Sequence, residues 1–294
     1  MDFFVTLLVR GVVLGCLYAL IALGFVLVYK ATGVLNFAVG EMAMFGGYLA
    51  AAFAVSYGLP LGLAIGLALL CMILFGVVLE QGVLRPMIGR PVIGMIMATL
   101  GLGIFLRGIS PIIWGVGTKN LDLKLPDSPV FLGNVSIPPV DLVGVALTLA
   151  LLVACAYFFQ RTRYGIAMRA VSDDQQAAMA MGIKVSAIFA VAWALAGVAA
   201  IGGGLIWGNK IGVNQDLASL GLQTFPVVIL GGLDSIPGTI IGGLVVGICA
   251  NLAGGYLDPY VGGGLEYVAA YVLMMIVLLV RPYGLFGREI IEKV

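Results

Sequence analysis

Asn36 and Glu41 interrupt an apolar run that begins at Gly33, and they are the side chains in this chain best placed to meet a solute inside a membrane. A carboxylate at bilayer depth is costly unless it faces a bundle interior or a water-filled cavity, so it usually has a task. Gly33, Gly40, Gly46 and Gly47 surround the pair. That setting permits a broken helix, whose free backbone groups are tolerated where they line a cavity or are buried in protein. Two readings of Asn36, Gly40 and Glu41 carry equal weight: the border of a translocation route or a hinge beside it, and a polar network that only fixes helix packing. Thr99 is a weaker candidate for the same route, because threonine commonly bonds back to its own helix. Bond-making chemistry has little support. The chain has no histidine, no paired catalytic carboxylates and no metal-ligand spacing. Cys16, Cys71, Cys155 and Cys249 stand alone in apolar runs and read as small core residues.

A second polar set has a different character. From Gln160 to Lys184, cations, two adjacent acids and three glutamines form the one extended charged segment inside the chain. Ser172 and Gln175 have the spacing of a capping box, in which both side chains satisfy backbone donors at a helix start. Asp173 and Asp174 then occupy the first turn, where the helix dipole favours negative charge. Gly182 can supply a left-handed stop. The spacing therefore predicts a short helix from Asp173 to Met181, with Ala177, Ala178, Ala180 and Met181 forming a smooth apolar surface beside Met179. Such a surface fits a groove on another protein. It fits equally a place on the membrane, with neighbouring cations on lipid phosphates.

The elements that must position these groups are membrane helices. Over 294 residues, 62% are hydrophobic and 10% charged, with mean hydropathy +1.16, far from the roughly 25% charged of soluble domains. The fold class is all-α, a polytopic membrane bundle of eight or nine segments read as a single domain over residues 1–294. Spans fit residues 5–28, 33–56, 61–83, 92–113, 139–159, 187–207 and 265–281. The start of the chain lacks a cleavable leader pattern, so its first span reads as retained. Residues 222–254 are broken by LGGLDSIPG, which predicts a short segment at 222–233 and another at 237–254. Pairs at small-xxx-small spacing, Gly11/Gly15, Gly62/Gly66, Gly204/Gly208, Gly238/Gly242 and Gly243/Gly247, predict close helix approach. With the charged segment on the cytoplasmic side, ten lysines and arginines lie inside and five outside. That asymmetry puts the carboxyl terminus in the cytoplasm and the amino terminus outside. The loop from Gly115 to Pro139 then forms a short extended cap outside, as a connector or as part of a docking surface. The net charge of +1 gives no reason to invoke nucleic acid.

Four stretches resemble one family: GVLNFAVGEMAMFGGYLA from Gly33, RTRYGIAMRAVSDDQQAAMAMGI from Arg161, VVILGGLDSIPGTIIGGLVVGI from Val227 and RPYGLFG from Arg281. The chain is similar along its whole length to membrane permeases of ATP-binding-cassette importers for branched-chain amino acids. The resemblance implies a bacterial inner-membrane subunit beside a homologous second permease, two cytoplasmic ATPase subunits and an external substrate-binding protein. It implies that residues 160–186 hold a coupling helix seated in an ATPase cleft, with Ser172, Asp173, Asp174, Gln175, Ala177, Ala178, Met181 and Gly182 at that contact. The chain has no phosphate-cradling G-x-x-x-x-G-K-[ST] loop, so ATP would be bound and hydrolysed on partner subunits, and this chain would need no cofactor and be no enzyme. Rival readings are a secondary transporter in which Glu41 carries a coupling ion, and a passive channel for small polar solutes.

Overall fold

Glycine and proline punctuate the apolar runs, and several of the helices begin or end at them. In the computed structural model, which describes residues 2–88, 90–126, 128–132 and 135–287, the helices in chain order are α1 (Asp2–Thr32), α2 (Val39–Ala51), α3 (Leu61–Leu79), α4 (Val92–Trp114), α5 (Pro139–Arg161), α6 (Arg163–Asp173), α7 (Gln175–Ala180), α8 (Val185–Ile211), α9 (Ser219–Gln223), α10 (Phe225–Gly231), α11 (Ile236–Val261) and α12 (Leu265–Val280). A π-turn at Ala52–Ser56 extends α2, and Glu80–Met87 extends α3. Among the described residues seven helices are long and apolar enough to cross a membrane, and α12 is a shorter apolar helix. Arg288 and Lys293, two of the ten lysines and arginines expected on the inner side, lie outside the described residues.

The break in residues 222–254 falls where LGGLDSIPG predicts it, between α10 and α11. Ser235 Oγ accepts from the Gly238 amide at 3.0 Å and caps α11. That helix runs on to Val261, past the expected end at 254. Gly255 lets it lie under Leu7, and Asn251 Nδ2 donates to the Leu7 carbonyl at 2.6 Å.

α1 runs through the middle, against α11 on one side and α8 on another, while α2 and α3 pack on α8. In the most apolar stretch of α1, 83% of residues are buried, against 22% in α3 and α4. Two of the expected glycine pairs meet each other. A Cβ on Gly15 would stand 2.3 Å from the Gly243 carbonyl oxygen, and one on Gly247 2.3 Å from the Gly15 nitrogen. Gly204 brings α8 equally close to α2, with Ala43 O at 2.3 Å from its notional Cβ, and Gly238 and Gly242 bring α11 against Gly231. Gly62/Gly66 is a correction. Neither glycine has a described neighbour within 4 Å of a notional Cβ, so that pair faces outward from α3.

The loop after α4 folds over the end of α8. Lys119 and Val213 exchange backbone bonds of 2.9 and 2.8 Å, and Asn209 Nδ2 donates to the Leu121 carbonyl at 2.8 Å. Leu121 and Leu123 are buried and their neighbours Asp122 and Lys124 exposed, the alternation of an extended segment with one covered face. A hairpin of β1 (Val130–Leu132) and β2 (Val135–Ile137) completes the cap.

Candidate functional site: a charged pair at a broken helix

α2 starts late because residues 33–38 leave the helical path. Gly33, with φ +70°, turns the chain out of α1. The freed backbone groups are then satisfied locally. Asn36, fully buried, accepts from the Ala38 amide through Oδ1 at 3.0 Å and directs Nδ2 to the Met42 sulfur at 3.4 Å. From α4, the Thr99 hydroxyl accepts from the Phe37 amide at 3.3 Å and lies 3.2 Å from the Leu35 carbonyl and 2.9 Å from that of Ile96. Thr99 thus does bond back to its own helix, and it also ties α4 to the break. Gly40 lets the first turn of α2 touch a second discontinuous region. A Cβ there would stand 2.1 Å from the Ala218 carbonyl oxygen and 2.8 Å from the Gly221 nitrogen.

Next to Gly40 in the same turn, the Glu41 carboxylate pairs with the Arg107 guanidinium of α4, Oε1 to Nη2 at 2.9 Å. The Glu41 side chain is 9% exposed and that of Arg107 45%. A lone arginine near the end of a membrane helix would be expected to reach outward to the membrane surface. Arg107 sits seven residues before Trp114, about 10 Å along the helix, and the carboxylate beside it is the nearer partner. A buried acid in one span and a base in another were the available signal, but their depths could not be matched without knowing that α2 begins above the break. Gln215 Nε2 donates to the Arg107 carbonyl at 3.3 Å.

Glu41, Arg107 and Gln215 border a cavity of about 550 Å³ whose other walls include Phe37, Leu100, Ile104 and Leu222. Of the four residues expected along a route, Glu41 lines this cavity, while Asn36, Gly40 and Thr99 stand behind it and hold the break. Phe37 closes one side by packing on Phe225 (ring centroids 5.6 Å) and Phe25 (6.5 Å). Discontinuous helices that border a cavity with a few polar groups in its wall are a common frame of a transport site in membrane bundles.

The charged segment is built differently from its sequence reading. It holds two helices, α6 and α7. Thr162 caps α6, accepting from the Gly165 amide at 3.0 Å, and Met168 and Val171 bury one face. Ser172 and Asp173 end α6 rather than start the next helix, so the expected capping box is absent. The cap of α7 is Asp174, whose Oδ1 accepts from the amides of Gln176 at 2.8 Å and Ala177 at 3.0 Å. Asp174 alone has extended backbone at that point (φ −156°), which is what a cap requires. Gly182 at φ +82° supplies the stop.

Burial divides the expected contact surface. Ala178 is 4% exposed, so it belongs to the core and not to the outer surface, whereas Met181 is 84% exposed and Ala177, Met179 and Ala180 are also exposed. Ser172 and Asp173 line a crevice with Lys30, Arg169 and Asp234. Lys30 Nζ donates to the Asp234 carbonyl at 2.7 Å, joining the end of α1 to the turn before α11. The terminal RPYGLFG stretch lies on the same end, where the Leu285 amide donates to the Leu230 carbonyl at 2.8 Å.

A model of the family described as "Branched-chain amino acid transport system / permease component" matches residues 7–280. The chain is 30% identical to the high-affinity branched-chain amino acid transport system permease protein BraD of Pseudomonas aeruginosa, over 98% of this chain and 97% of that one. It is 31% identical to LivH of Escherichia coli strain K12, a permease protein of the same description, over 99% and 98% of the two chains. Among solved structures, PsaBC from Streptococcus pneumoniae in complex with Fab aligns at TM-score 0.46 and 16% identity, over 96% of this chain and 93% of that one. The matched residues take in the break before α2, the charged pair and α7 alike, and the chain belongs to the family of branched-chain amino acid transport system permease components.

Proposed function

We propose that this chain is the membrane-spanning permease subunit of an ATP-binding-cassette importer, moving branched-chain or related amino acids that an external binding protein delivers. Hydrolysis takes place on two cytoplasmic ATPase subunits, and a homologous second permease completes the pore. The chain lies in the bacterial inner membrane as one permease domain, with α7 and the carboxyl terminus in the cytoplasm and the amino terminus outside. Asn36, Gly40, Glu41 and Thr99 form the route and its hinge. Asp174, Gln175, Ala177, Met181 and Gly182 shape and present the coupling contact, which Ser172 and Asp173 join to the helix ends around Lys30. The observation that carries this reading is α7: a capped helix with two exposed methionines, held between α6 and α8 at the end of the bundle where Lys30 meets Asp234. Methionine adapts to the wall of a groove, and a capped helix transmits a push as a rigid body.

The test joins position to transport. In membrane vesicles carrying the whole complex, a cysteine at Met181 should cross-link to the ATPase subunit and the link should abolish ATP-driven leucine uptake. Uptake that continues without the ATPase subunits and collapses with an ion gradient would replace this reading with the ion-coupled one.

A further inference from the structure

The cavity beside the break has the composition of a receptor for one chemical class. Its polar side holds a carboxylate and a guanidinium in contact, and Phe37, Leu100, Ile104 and Leu222 supply apolar wall. At about 550 Å³ it lies within the roughly 300–1,000 Å³ of small-molecule sites. The recorded ion pair joins one guanidinium nitrogen to one carboxylate oxygen. Arginine has further N–H donors in its planar fork, and a carboxylate has further lone pairs. Glu41 Oε2 lies over Gly103, where a Cβ would stand 3.2 Å away, so the missing side chain there lets the carboxylate lie against α4 beside the cavity. An exposed guanidinium at membrane depth has a natural second partner in an anion that travels through the site.

We propose that Glu41 and Arg107 form a transit subsite for zwitterionic α-amino acids with aliphatic side chains. Arg107 receives the substrate carboxylate, Glu41 the ammonium, and Ile104, Leu100 and Leu222 the side chain. Neither protein group has to give up its charge balance while the subsite is empty, because each neutralises the other until a substrate arrives. The proposal rests on the permease reading above and adds to it a selection step inside the membrane subunit, separate from any choice made by the binding protein.

The experiment uses the purified complete complex without its binding protein and a diazirine analogue of leucine as the probe. Irradiation should place adducts on Leu100, Ile104 or Leu222, located by mass spectrometry of the peptides. Excess leucine should reduce the labelling about tenfold or more, and N-acetylleucine and leucinamide, each lacking one charge, should leave it nearly unchanged, as loss of a charge-assisted hydrogen bond predicts. Glu41→Gln and Arg107→Gln should each lose the labelling. Adducts that avoid these wall residues, or equal competition by all three compounds, would overturn the proposal without any variant having to fold. ATP-driven leucine uptake by the same unmodified complex, with its binding protein restored, checks the permease reading separately.

Discussion

The glycines of α1 and α11 and those of α3 have the same spacing and opposite surroundings. Gly11 and Gly15 meet Gly243, Gly247 and Ile248 at distances that no Cβ could occupy, while Gly62 and Gly66 meet no described neighbour. The first set lets two backbones touch, which in a bilayer is where packing forces and weak polar contacts between helices come from. The second set decorates an outward face with open space around it. Small residues are thus permissive: they allow close approach, and only a facing helix with the same gap converts permission into contact. The alanines of α7 repeat the lesson on a smaller scale, since Ala178 is buried and Ala177 and Ala180 are exposed within one turn.

Substitutions at these places give an ordered test. The largest effect should come from Gly15→Val. Its Cβ would stand 2.3 Å from the Gly243 carbonyl oxygen, a backbone atom that cannot swing aside, so the cost should exceed the usual 1–3 kcal/mol or so of overpacking. Detergent-solubilised protein should then fail to give a monodisperse elution peak, and a stable, well-folded Gly15→Val would break the seam picture. Next is the pair Ala178→Asp and Met181→Asp. The buried site should lose about 2–4 kcal/mol through an unpaired buried carboxylate, read as a fall in thermal stability. The exposed site should keep its stability but lose association with the ATPase subunit, measured by co-purification. Equal thermal stabilities for the two variants would erase the division of α7 into inner and outer faces.

Thr99→Val should be milder. It strips the Phe37 amide of its acceptor while keeping the side-chain shape, for about 1–3 kcal/mol. Faster hydrogen exchange at residues 35–38 would localise the loss to the break. The smallest effect belongs to Gly62→Leu and Gly66→Leu. With open space around both positions, neither change should lower stability, and loss of a helical glycine should raise it by up to about 1 kcal/mol. If either variant instead failed to associate with a second permease subunit while remaining folded, the open face of α3 would be an interface, and the contrast with the α1–α11 seam would become one between contacts within and between subunits.

Legibility in the sequence followed the range of the forces involved. Proline and glycine in LGGLDSIPG act on their own backbone, so the split between α10 and α11 could be read directly. The stop at Gly182 was equally local. The cap of α7 was harder, because Ser172 and Asp174 both suit the role, and the buried face of α6 through Met168 and Val171 decided that the first helix continues past Ser172. Glu41 stood out as a costly group in an apolar span. Arg107 did not, because its partner depends on where α2 starts relative to α4, and that offset is set by six irregular residues whose path the pattern does not specify.

Taken alone, the sequence determined that this chain is a helical membrane bundle, that α10 and α11 part at LGGLDSIPG, that one extended charged segment interrupts the spans and that Glu41 is a costly acid in an apolar one. Those properties follow from transfer free energy and local backbone geometry, which each residue carries with it. Tertiary structure decided which glycines touch, that Ala178 faces inward and Met181 outward, and that Glu41 meets Arg107 at the mouth of an apolar-walled cavity. Each of these depends on the rotation and offset of one helix against another. Hydrophobicity is non-directional and cannot fix them, whereas close packing and the need to pair buried charges can.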